Sequence, residues 1–104
     1  MSKTDYYLPG STIKAFVAPE AEGFDPERDE WQVDVVFGTT SRLYKTFHKQ
    51  DMRRGDDGTY IYSIDTNGMS GVVYGIIRAS IPDADCDGGI RKEVYMYEIA
   101  HVGL

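Results

Sequence analysis

One acidic run has residue types that could hold an ion. In IPDADCDGGIRKE, Ile81 to Glu93, Asp83, Asp85 and Asp87 alternate and Gly88 follows. A calcium loop of the EF-hand kind needs oxygen ligands at its first, third and fifth positions, glycine at the sixth and a bidentate glutamate at the twelfth. Counted from Asp83, the sixth position is Gly88, but the twelfth is Val94, and Glu93 falls one residue early. In a strand that offset turns Glu93 to the opposite face. Aspartate and glycine are also what a tight turn requires, and salt screens an exposed trio of carboxylates. The expectation is a plain turn between the last two strands, with Asp83, Asp85 and Asp87 as a weak calcium candidate.

Other reactive groups are sparse. His48 and His101 have no HxH or HExxH spacing, and with Cys86 they make a metal trio only if the fold gathers all three. Cys86 sits among Asp83, Asp85 and Asp87, and acidic surroundings are not those of a reactive thiolate. No serine lies in a nucleophile elbow, and no glycine loop precedes a helix to cradle phosphate. Arg54-Gly55-Asp56 spells an adhesion tripeptide, but a turn already accounts for Gly55 and Asp56. No catalytic, cofactor-binding or firm metal residue is assigned, and an enzyme is not expected.

What remains is surface. Tyr74, Tyr95 and Tyr97 are expected on one outer face of the last two strands, either as a partner-binding stripe or packed under a loop or second sheet. Tyrosine gives contact area at low entropic cost. Charge is uneven: seven acidic residues lie between Ala18 and Asp34 against Arg28 alone, and five basic ones between Arg42 and Arg54 against Asp51. These segments are either two solvated surfaces or complementary patches that meet between neighbouring copies, with Arg53 and Arg54 as partner-binding candidates. A net charge of −6 argues against nucleic acid and against an anionic membrane surface. The opening MSKTDYYLPGSTIK lacks the apolar core of a signal peptide, so a cytoplasmic site of synthesis is expected.

The elements that must position these residues are short strands. The chain has 104 residues, enough for one small domain over 1–104. Turn signals recur at Pro9-Gly10, Gly23 to Pro26, Gly38-Thr39, Gly55 to Gly58, Asn67-Gly68 and Asp83 to Gly89. Between them, strands are expected at Ser11–Ala18, Trp31–Phe37, Thr59–Asp65, Val72–Ile81 and Ile90–Val102. Arg42–Phe47 reads as a strand or a helical turn. Val72–Ile81 is apolar on both faces, as a central strand is. Asp56 to Tyr62 matches the Asp-x-Gly-x-Tyr-x-Cys run of immunoglobulin-like domains, with Tyr62 in place of the cysteine.

On Gly10-Ser11-x-Ile13, Asp57-Gly58-x-Tyr60 and the hairpin around Ile81-Pro82-Asp83 and Asp87-Gly88, the chain resembles the small immunoglobulin-like domains of bacteriophage baseplate and tail proteins. It resembles in particular the N-terminal domain of upper baseplate proteins. The resemblance implies a non-enzymatic assembly role in a virion, built in the bacterial host's cytoplasm, and brings no catalytic residues. The expected fold is all-β, a small immunoglobulin-like sandwich of six to seven antiparallel strands. The expected function is a structural or docking component of a multi-copy assembly that binds other structural proteins or itself, without cofactor. A carbohydrate-binding sandwich with stacking tyrosines is the alternative.

Overall fold

A computed structural model describes residues 5–39 and 42–103. They form eight strands: β1 (Asp5–Tyr7), β2 (Thr12–Val17), β3 (Glu30–Phe37), β4 (Arg42–His48), β5 (Arg53–Arg54), β6 (Tyr60–Asp65), β7 (Gly71–Pro82) and β8 (Ile90–Val102). Two short 3-10 turns, Lys49–Asp51 and Asp87–Gly89, are the helical content among the described residues. One sheet has the order β1-β8-β7-β3-β4 and the other β2-β6-β5. All pairs are antiparallel except β1 with β8, which is parallel.

Strict alternation builds the core. Ile13, Ala15 and Val17 of β2 and Tyr60, Tyr62 and Ile64 of β6 point inward from the small sheet. Trp31, Val33 and Val35 of β3, Phe47 of β4, Val73 and Ile77 of β7, and Ala100 and Val102 of β8 face them from the large one. Aromatic pairs span the gap: Trp31 meets Tyr60 edge to face at 5.0 Å, and Phe47 meets Tyr62 at 4.7 Å. The two layers thus share one core, as in a β-sandwich.

Two expectations change and one open reading is resolved. Eight strands replace six or seven, because β1 and β5 are only three and two residues long and carry too little pattern to register. The β1–β8 pair breaks the all-antiparallel expectation. Arg42–His48 is a strand, and a helical turn begins only after it, at Lys49. Leu43 and Phe47 fall on opposite faces because Val35 pairs with Lys45 and Val36 with Leu43, leaving Tyr44 as the extra residue of a bulge. A second bulge lies in β8, where Glu98 faces Tyr74 and Ala100 faces Val73, so Ile99 is extra.

The long acidic loop before β3 is a folded element. Asp29 is buried and is its hub: its carboxylate accepts two bonds from the Arg28 guanidinium, at 2.8 and 3.1 Å, and one from the Asp25 N–H at 2.9 Å. The Trp31 indole N–H donates to the Pro26 carbonyl at 2.8 Å, tying the loop to the core.

Candidate interaction surfaces

The acidic turn closes the β7–β8 hairpin. The Asp83 N–H donates to the Gly89 carbonyl at 2.9 Å, and the Cys86 N–H to the Asp83 carbonyl at 3.1 Å. The Asp83 carboxylate accepts the Asp85 N–H at 3.0 Å and an Arg91 guanidinium bond at 3.1 Å. Gly88 and Gly89 both have positive φ, 70° and 73°, which L-residues adopt poorly. The residues that suggested an ion loop are thus engaged in turn chemistry, while Asp85 and Asp87 are exposed to solvent. Among the described residues no three His, Cys, Asp or Glu side chains gather into a metal-holding group. Cys86 sits in this turn and His101 near the far end of β8, roughly 35 Å away along the strand. His48 lies on β4, so the fold does not bring the trio together.

The three tyrosines do not form one stripe. Tyr74 faces Glu98, whereas Tyr97 faces Gly75 and Tyr95 faces Ile77. Odd residues of β7 point into the core and even ones away from it. Tyr74 is therefore on the outer face, and Tyr95 and Tyr97 are on the inner one. The Tyr97 ring lies across Gly75, and its hydroxyl meets the Tyr62 hydroxyl at 2.9 Å between the sheets. Burial pushes both phenols above their ordinary pKa. Burial raises the Tyr95 phenol as well. The Tyr95 and Tyr97 rings lie beside the edge of β2, with Phe16, and do not join Tyr74 on the outer face.

The acidic and basic segments meet within the chain. Arg54 pairs with the Glu27 carboxylate. The Lys49 ammonium donates to the Asp29 carbonyl at 2.8 Å and the Glu27 carbonyl at 3.2 Å. Patches meeting only between copies are therefore not the arrangement around Arg54. Arg53 is exposed beside it on β5.

Sequence pattern alone did not single out the outer face of the five-stranded sheet. It carries Val72, Tyr74 and Ile76 of β7, Val94 and Met96 of β8, Val36 of β3 and Leu43 of β4. Leu43, Val94 and Met96 are 62%, 55% and 59% exposed. Tyr6 of β1 joins them, its ring 5.1 Å from that of His101. A polar group sits at the centre. Asp34 accepts bonds from Arg78, Thr46 and Gln32 at 2.8, 2.8 and 2.9 Å. Burial opposes ionisation of Asp34, but these three donors together outweigh it and hold the carboxyl below its ordinary range. The signal that could have exposed this face was the two-sided apolar pattern of Val72–Ile81, because the small sheet can cover only one side. Compared with known proteins, the chain matches no protein family, no curated protein and no solved structure.

Proposed function

We propose that this chain is a non-enzymatic structural or docking module of a multi-copy assembly, and that the outer face of the five-stranded sheet seats a second copy. That exposed apolar face carries the reading. Monomeric proteins rarely leave a large contiguous apolar patch in water. Five strands about 4.8 Å apart and up to roughly 40 Å long give the whole face, its polar centre included, about 700–900 Å². A standard interface needs about 800 Å² from each partner. Charge supports a copy as occupant. The chain as a whole carries −6, yet on this face Arg78 and Lys92 are interleaved with Asp34, Glu30 and Glu98, so a copy meets both signs there.

Strand order supports an immunoglobulin-like sandwich. In that fold strands B, E and D share one sheet, and C, F and G the other, with C′ beside C in the variable type. β2, β6 and β5 fall at B, E and D, and β3, β4, β7 and β8 at C, C′, F and G. Trp31 is buried on β3, where such domains carry a core tryptophan on strand C. The Asp-x-Gly-x-Tyr likeness belongs elsewhere, since Tyr60 is on β6, at the E position. A bacteriophage tail, baseplate or capsid-decorating protein is the setting that the resemblance suggests.

Native mass spectrometry of the purified chain tests the assembly reading. Discrete symmetric oligomers are expected, and Met96→Glu should disperse them without lowering the melting temperature. A wild-type chain that stays monomeric at about 100 μM, a concentration at which an interface with micromolar Kd is largely formed, would sink it.

A further inference from the structure

We propose that the open edge of β2 accepts a fourth strand from a different partner chain, apolar at its inward positions and bearing a carboxylate opposite Lys14. This goes beyond the self-assembly reading and does not depend on it.

β2 ends the three-stranded sheet. The Thr66 N–H donates to the Ser11 carbonyl at 3.2 Å, and the register continues unbroken from Thr12–Asp65 to Val17–Tyr60. Hydrogen-bonded pairs alternate in an antiparallel ladder. Ile13, Ala15 and Val17 therefore direct their N–H and C=O groups to β6, while Thr12, Lys14 and Phe16 direct theirs outward. Among the described residues no hydrogen bond reaches these outward groups. That is three donors and three acceptors in a straight row.

The other sheet ends are guarded. β1 and β5 are three and two residues long, and β5 is Arg53–Arg54. β4 carries Arg42 and Lys45 and a bulge. Short length, charge and bulges are the usual defences of an exposed edge. β2 has six residues, an even register and one charge, Lys14.

The sheets are also unequal, five strands against three, so β8 and β1 extend past β2. Two concavities of about 250 Å³ each lie along this step, and both are lined by Phe16 and Tyr97. Tyr95 borders one and Ile99 the other. A strand added to β2 would set alternate side chains down onto Tyr95, Tyr97 and Ile99. Its remaining side chains would stand beside Thr12, Lys14 and Phe16, where opposite charge and aromatic or β-branched neighbours are favourable. A second β2 is the poorer occupant because it brings no carboxylate: a two-fold pair centred on Lys14 sets Lys14 against Lys14, and one centred on Ala15 sets it against Phe16.

Amide exchange by NMR on the full chain tests this, with the capped peptide Thr-Val-Thr-Val-Glu-Val-Thr-Val-Thr as probe. In the free chain the amides of Thr12, Lys14 and Phe16 should exchange freely and those of Ile13, Ala15 and Val17 slowly. The peptide should slow the first three about ten-fold at nine-tenths occupancy. Lys14→Pro removes an N–H that the β6 ladder does not use, and should abolish this protection while Ile13, Ala15 and Val17 stay protected. Lys14→Glu should weaken this peptide by about five-fold or more and favour one with a central lysine. No added protection at millimolar peptide, or protection that survives Lys14→Pro, overturns the proposal.

Discussion

The five-stranded sheet has an apolar face on each side, and this chain closes only one of them. On the inner side Val33, Val35, Val73 and Ala100 are fully buried beneath β2 and β6. On the outer side Leu43, Val94 and Met96 stand in solvent around the Asp34–Arg78 pair. Both sides carry aliphatic residues, and β7 contributes valine and isoleucine to each, but the outer side also carries Glu30, Asp34, Arg78, Lys92 and Glu98. The aliphatic residues of the two sides differ chiefly in the presence of a second layer. Burial in this fold is therefore a property of sheet stacking and not of hydrophobicity read residue by residue. The outer face looks like an inner face awaiting its layer.

The sharpest way to break that comparison is truncation on each side. Ile77→Ala deletes a buried side chain on the inner side of β7 and should cost about 2–5 kcal/mol in urea unfolding, from lost burial plus the cavity left behind. Met96→Ala should change the stability of the monomer by less than about 0.5 kcal/mol. Equal costs would mean that the two faces are not distinct in the isolated chain.

Gly75→Ala should have the next largest effect. A Cβ there would stand 2.7 Å from the Tyr97 ring, so the ring must move and the contact with the Tyr62 hydroxyl opens. A loss of about 1–3 kcal/mol is expected. Tyr97→Leu in the same chain should recover part of it, because neighbouring substitutions are not additive. Full additivity of the two losses would show that the ring does not rest on Gly75.

Much of the inner face was legible in the sequence. Alternation alone puts Tyr60, Tyr62 and Ile64 together, and likewise Trp31, Val33 and Val35, because a strand's side-chain period is two. The outer face was not legible, because which face of β7 points inward depends on its pairing register, and a slip of one residue exchanges the two. That is why Tyr74 was grouped with Tyr95 and Tyr97. Each strand's parity was readable, but the register between them was not. β1 was invisible for another reason: Asp5–Tyr7 has no pattern of its own and is a strand only through its pairing with β8. The Arg54–Glu27 contact depends on β5 and the loop before β3 lying side by side, which no local spacing encodes.

The two faces should also respond to opposite ends of the pH scale, which gives the smallest but most discriminating test. On the outer face Asp34 has its folded pKa held below the ordinary carboxylate value. Its contribution to stability is complete above the unfolded value, about 4, and is lost as pH falls through the lower folded one. On the inner face Tyr62 and Tyr97 have folded pKa values raised by burial. Their contribution is complete below the unfolded value, about 10, and is lost as pH rises above it. Asp34→Asn should cost less than about 1 kcal/mol at neutral pH. It should flatten only the acid limb of the stability profile, which Asp29 still supports in part. Tyr62→Phe should flatten only the alkaline limb. Urea midpoints measured from acid to alkaline pH separate the two variants. If Asp34→Asn moved the alkaline limb, or Tyr62→Phe the acid one, the faces would be coupled through the sheet, and the outer face could not be treated as a surface independent of the core.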